Sequence, residues 1–101
     1  MNDRTLTPER LRELLIIFKE RHGERYRLRS LGFFGSFAGS AFTAQSDVDI
    51  VFDTDAPNLF MTAMLKQDLE ELLGRTVDVL QARGLTNRRL RERIEREAVY
   101  V

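Results

Sequence analysis

Gly35-Ser36-Phe37-Ala38-Gly39-Ser40-Ala41-Phe42-Thr43-Ala44-Gln45-Ser46-Asp47-Val48-Asp49-Ile50-Val51-Phe52 is the stretch on which the fold turns. It opens on a Gly-Ser turn, runs through a small and polar segment, and ends in an alternating strand. Within that strand Val48, Ile50 and Phe52 share one face, while Asp47, Asp49 and Val51 share the other, because strand side chains alternate with period two. Aspartates two positions apart therefore project together, close enough to share divalent cations. Without a cation, carboxylates that close repel, and at least one tends to stay protonated.

The flanking sequence supplies a frame. Thr7 is placed to cap a helix over about residues 8–22, with Pro8 at its first position, where a missing N–H costs nothing. Leu11, Leu14, Leu15 and Phe18 follow the spacing of one buried face, and Gly23 is a natural stop. A β-rich stretch from Tyr26 to Phe34 leads into the Gly-Ser turn, and a short helical turn is expected after Ser36. Residues 40–46 read as a loop and 46–53 as a strand. Pro57 is expected to open a second long helix with a stripe of Leu65, Leu69, Leu72 and Leu73, closed by Gly74. Residues 76–80 form another strand, Val77 and Val79 inward and Asp78 outward. Thr86 is expected to cap an arginine-rich helix to about Glu97, and residues 98–101 to form an edge strand. This order predicts an α+β fold, a mixed sheet packed with helices.

Composition narrows the chemistry. The 101 residues suit one domain spanning 1–101. With no cysteine, disulfides, thiolate metal sites and cysteine nucleophiles are excluded. A single histidine, His22, argues against a histidine zinc site and reads as a surface residue or a favourable charge at a helix end. No apolar run approaches the ~20 residues of a membrane span, and the N-terminus is not signal-like, so a soluble cytoplasmic protein is expected. Sixteen basic and sixteen acidic side chains cancel, which argues against nucleic acid as a direct ligand. Arg83, Arg88, Arg89, Arg91, Arg93 and Arg96 crowd the last helix, interrupted by Glu92, Glu95 and Glu97. A solvated face laced with ion pairs is the plain expectation, and a docking surface the alternative.

Asp47, Asp49 and Asp78 then stand as three carboxylates on one sheet face beside a Gly-Ser turn. Oxygen-only ligands suit Mg²⁺, which keeps several waters and shares substrate phosphates. The set fits a two-metal phosphoryl or nucleotidyl transfer site. Gly35 lets the backbone approach a phosphate, and Ser36 adds its hydroxyl. Any one of these features alone is weak, since an isolated Asp-x-Asp more often marks a solvated edge. Asp53-Thr54-Asp55 repeats the spacing at the strand exit and reads as an acidic turn.

Taken jointly, Gly-Ser, ten intervening residues, Asp-x-Asp and a later Val-Asp-Val resemble the signature of the DNA polymerase β superfamily. In particular the chain resembles its minimal nucleotidyltransferases, from Leu28 to the final strand. The resemblance implies a polymerase β palm-like fold, with Gly35 and Ser36 holding the triphosphate of ATP or another NTP. It implies Asp47 and Asp49 as Mg²⁺ ligands, and Asp78 completing the triad and helping to deprotonate the attacking hydroxyl. Family members commonly carry Gly-Ser-x-Ala-Arg-Gly, whereas this chain has Gly39 and Ser40 at the last two positions. A guanidinium there would neutralise developing charge, so its absence implies weaker catalysis unless Arg27 or Arg29 substitutes.

Larger relatives add a helical domain that helps shape the acceptor site, for which 101 residues leave no room. The acceptor surface is then expected from a second copy, as a homo-oligomer, or from another macromolecule. The resemblance implies a HEPN-domain toxin as partner, adenylylated on a tyrosine by this chain as antitoxin. An antitoxin that acts by binding alone and a small-molecule, aminoglycoside-type nucleotidyltransferase are the alternatives.

Overall fold

The computed structural model describes residues 6–39 and 41–101. Helix α1 (Pro8–His22) begins where Thr7 accepts a hydrogen bond from the Arg10 N–H, with Pro8 at its start. Leu11, Leu15 and Phe18 are buried, and Leu14 packs partly against them. Gly23 does not adopt the left-handed conformation expected of a glycine stop. It keeps right-handed helical angles and donates to the Lys19 carbonyl, finishing the last turn.

Strand β1 (Leu28–Phe34) runs into a single 3₁₀ turn, Gly35–Phe37, and β2 (Val48–Thr54) returns antiparallel to it. Helix α2 (Leu59–Leu73) starts two residues later than expected. Asn58 rather than Pro57 sets the boundary, because its side-chain oxygen accepts from the Phe60 and Met61 N–H groups. Gly74 closes α2 at φ +69°, a left-handed position that glycine adopts without penalty. Leu65, Leu69 and Leu73 form its buried stripe, while Leu72 turns to solvent, since i, i+4 spacing carries the stripe past it.

Strand β3 (Val77–Gln81) lies parallel to β2. A 3₁₀ turn at Ala82–Gly84 leads to α3 (Arg88–Glu97), capped by Asn87 and not Thr86, the Asn87 oxygen accepting from the Leu90 N–H. The two-residue strand β4 (Val99–Tyr100) then pairs antiparallel with β1 at the sheet edge. The sheet order is β3-β2-β1-β4.

Two layers of helix enclose this mixed sheet. Leu31, Phe33, Val48, Ile50, Phe52 and Val77 face α1 and α2 in the main core. Each fully buried side chain of this size contributes roughly 1.5–3 kcal/mol over its exposed state. On the other face a smaller cluster joins Phe34 and Val51 to Ile94 of α3. The alternation read from Val48 to Phe52 is thus realised, with Asp49 on the α3 side. No helix among the described residues is long and apolar enough to cross a membrane.

Candidate active site

Strand register brings the candidate residues together. Phe34 pairs with Asp49 across β1 and β2, so the Gly35–Ser36 turn follows directly beside Asp49. Asp49 pairs in turn with Asp78 across β2 and β3. Three neighbouring strands thereby deliver the Gly-Ser turn, the Asp-x-Asp pair and the third carboxylate to one end of the sheet.

Gly35 has φ +73°, which glycine alone adopts without strain, and a Cβ there would collide with Asp49 Oδ2. Both the backbone conformation and the space therefore demand glycine. After Ser36 the expected helix amounts to one 3₁₀ turn. The Ala38 and Gly39 N–H groups bond back to the Gly35 carbonyl at 3.1 and 3.0 Å.

Asp47 and Asp78 are exposed, while Asp49 is half-buried between them. Burial lifts the Asp49 pKa above the ordinary carboxylate value. Asp78 adds to the rise, Arg93 works against it, and Asp47 gives a further push. A divalent cation is the natural relief for such a group. Among the described residues no three His, Asp or Glu side chains close into a ligand cage. The carboxylates instead line an open face, and an oxygen-only set of this kind fits a hard cation that completes its shell with water and phosphate.

Arg27 and Arg29 do not fill the place of the absent guanidinium. They stand at the opposite end of β1, where Arg27 donates to Asp55 at 2.7 Å and Arg29 at 3.4 Å. These contacts hold the Asp55 carboxyl below its usual range. Asp53 is likewise bound by Arg83 at 2.8 Å, so Asp53-Thr54-Asp55 is an ion-paired strand end, as its sequence context suggested. Gly39 is exposed, with only the Gly35 carbonyl 3.6 Å from a Cβ built there; Ser40 lies outside the described residues.

Two arginines near the site are not expected there from the sequence: nothing singles out Arg75, and Arg93 reads only as one of the arginines of the last helix. Arg93 is carried past Asp49 by α3, whose Ile94 packs on Phe34 and Val51, and Glu97 holds its guanidinium at 3.2 Å. Arg75 donates to the Ser46 carbonyl at 3.0 Å and lies over the Phe37 ring, 5.5 Å from its centroid. No motif marks either residue; only the register of β3 and the docking of α3 reveal them. Elsewhere α3 carries the expected ion pairs, Arg88 with Glu92 and Arg93 with Glu97. His22 packs its ring 4.8 Å from Phe18, an aromatic contact and not a ligand position. A cavity of about 160 Å³, lined by Tyr26, Phe52, Thr54, Met61 and Leu65, opens at the far end of the sheet, away from the carboxylates.

The geometry agrees with what comparison finds. A family model described as a nucleotidyltransferase domain matches residues 11–101. The chain is 35% identical over 97 residues to the protein adenylyltransferase MntA of Thermococcus cleftensis, covering 95% of this chain and 97% of that one. It is 32% identical to a solved structure assigned as a minimal nucleotidyltransferase, with TM-score 0.71 and coverage of 93% and 95% of the two chains. A toxin–antitoxin structure with AMP-PNP is alike in fold, at TM-score 0.74 and 19% identity over 87% of this chain and 69% of that one.

Proposed function

The chain belongs to the nucleotidyltransferase domain family and is an enzyme of that class, and on this premise we propose that it transfers AMP from ATP to a side-chain hydroxyl of a partner protein. The observation that carries the reading is the contact of the Gly35 turn with Asp49, which joins a phosphate-binding turn to a carboxylate cluster. Gly35 and Ser36 receive the triphosphate. Asp47, Asp49 and Asp78 hold Mg²⁺, which when bound supplies charge neutralisation for the phosphates and the attacking oxygen.

In the transfer the acceptor oxygen forms a bond to the α-phosphorus, and the bond from that phosphorus to the departing pyrophosphate breaks. The hydroxyl proton goes to a carboxylate, and the exposure of Asp78 beside Asp49 supports it for that role. Arg93 lies on the same side and lends positive charge where negative charge develops.

The similarity to an adenylyltransferase and the fold shared with a toxin–antitoxin assembly support a toxin protein as acceptor. A HEPN-domain toxin modified on tyrosine is the specific form of this reading. The test is incubation of the protein with ATP, Mg²⁺ and a cognate HEPN-domain toxin, followed by mass spectrometry. Added AMP on the partner supports the reading; an unmodified partner with a folded enzyme sinks it.

Gly39 favours a second reading, neutralisation by binding alone. Changing Asp47 and Asp49 together to Asn separates the two. Full neutralisation by that variant selects binding, and loss of neutralisation with the fold intact selects catalysis.

A further inference from the structure

The segment between Ser36 and Asp47 sets the distance between the two halves of the motif. Most of its bonds are internal. The Ala41 N–H reaches the Ser36 carbonyl at 2.9 Å, the Thr43 N–H reaches Ser46 Oγ at 2.7 Å, and the Phe42 ring stacks on Phe37 with centroids 4.9 Å apart. Contacts of this kind shape the loop, and burial of Phe37 in the main core, with Phe42 packed against it, holds its first end; the Ser46 end is not part of that core.

Arg75 does anchor it. Its guanidinium donates to the carbonyl of Ser46, the last residue of the segment, and covers the ring of Phe37, the first. One side chain thus grips both ends of the ten residues that separate Ser36 from Asp47. It does so from a fixed base. Arg75 lies two residues before β3, beside two fixed points: Val77 N–H donates to Glu70 of α2 at 3.0 Å, and the Thr76 carbonyl accepts from Val48 N–H of β2 at 3.0 Å. Asp78 follows three residues later, so the grip sits just ahead of the strand that carries the third carboxylate.

We propose that Arg75 is a positioning residue, a clasp that fixes the Gly35–Ser36 turn against Asp47 and sets both relative to Asp78. The proposal rests on the reading of these residues as the transfer site. Arginine suits the task because its planar guanidinium can stack on a ring while donating in its own plane. Lysine offers one compact ammonium and satisfies one contact at a time.

Arg75→Met, which keeps the packing stem without the donors, and Arg75→Lys test it. Amide hydrogen exchange of the metal-free protein is measured alongside kcat, the KM for ATP and the half-saturating Mg²⁺ concentration. With Met, exchange at residues 41–46 should quicken by about tenfold, the scale of one lost hydrogen bond, while β1 and β2 amides keep their rates. Transfer should fall by a similar factor in kcat, and half-saturating Mg²⁺ should rise. Lys should recover only part of each change.

Three outcomes overturn the clasp: unchanged exchange over 41–46, a uniform increase across the whole sheet, or full recovery with Lys, which would mean that charge alone matters. If the unaltered protein transfers nothing, the proposed function fails, while the exchange result still decides whether Arg75 holds the loop.

Discussion

The carboxylate of Asp49 occupies the space that a side chain on Gly35 would need. The fifteen-residue span from Gly35 to Asp49 is therefore closed at one bare Cα. Changing Gly35 to Ala adds a methyl against Asp49 and forces a left-handed conformation on an L side chain, a cost of about 1–3 kcal/mol. Urea unfolding should show that loss, and AMP transfer should fall by at least about tenfold. Stability and activity equal to those of the unaltered protein would refute the contact.

Asp49 is expected to oppose stability while serving the site. Its pKa is raised above 3.8 by burial and by Asp78 and Asp47, so the folded chain keeps a proton that the unfolded chain has already lost. The stability linked to this group is present below 3.8 and declines as pH rises through the raised value. Above the raised value the penalty is complete, discounted because the group is part-exposed. Asp49→Asn should melt about 2–5 °C higher than the unaltered protein without divalent cations, while transfer drops by about a hundredfold or more. A lower melting temperature would contradict this account.

Position 39 has room for a side chain, since a Cβ there meets only the Gly35 carbonyl, at ordinary contact distance. Gly39→Arg restores the guanidinium common in the family motif. A gain of about tenfold in kcat is expected, with KM for ATP reduced or unchanged. Steady-state kinetics decide it, and no gain in a well-folded variant would show that this chain does not lack that charge.

Far from the site, the Tyr26 hydroxyl donates to Asp68 of α2, and burial followed by that bond pushes its pKa up to about 12. Unfolded, the phenol ionises near 10, so from there to about 12 the unfolded chain loses a proton that the folded chain keeps. Stability should fall across that window, by at most about 1.4 kcal/mol per pH unit. Tyr26→Phe should remove this alkaline slope and cost about 1–2 kcal/mol at neutral pH, leaving kcat unchanged. Melting curves between pH 9 and 12 would test the sign.

Where the chain carried its own local chemistry, the sequence sufficed. Thr7-Pro8 marks the start of α1, and the alternation from Val48 to Phe52 assigns Asp49 to the face opposite the main core. Helix starts failed where two candidates lay side by side. Asn58 and Asn87 won over Pro57 and Thr86 because their oxygens reach an N–H in the first turn, a matter of geometry. Arg75 and Arg93 were illegible for a different reason. Their importance arises from strand register and from the side on which α3 docks, and neither is written in spacing along the chain. The same blindness made Arg27 and Arg29 attractive, although β1 carries them to the wrong end of the sheet.

Strand β3 holds an edge of the sheet, with β2 as its one strand neighbour among the described residues. Edge strands open more readily than central ones, at a fraction of the free energy of complete unfolding. When β3 lifts away, it takes Asp78 with it, pulls on the Arg75 grip just ahead of it and opens the core at Val77, while β1 and β2 remain paired. Failure under heat or crowding would thus begin as a silent fault, with protein still soluble and folded to most probes but already disarmed. The working lifetime of the enzyme would then be set by five residues at the rim and not by the melting point of the whole.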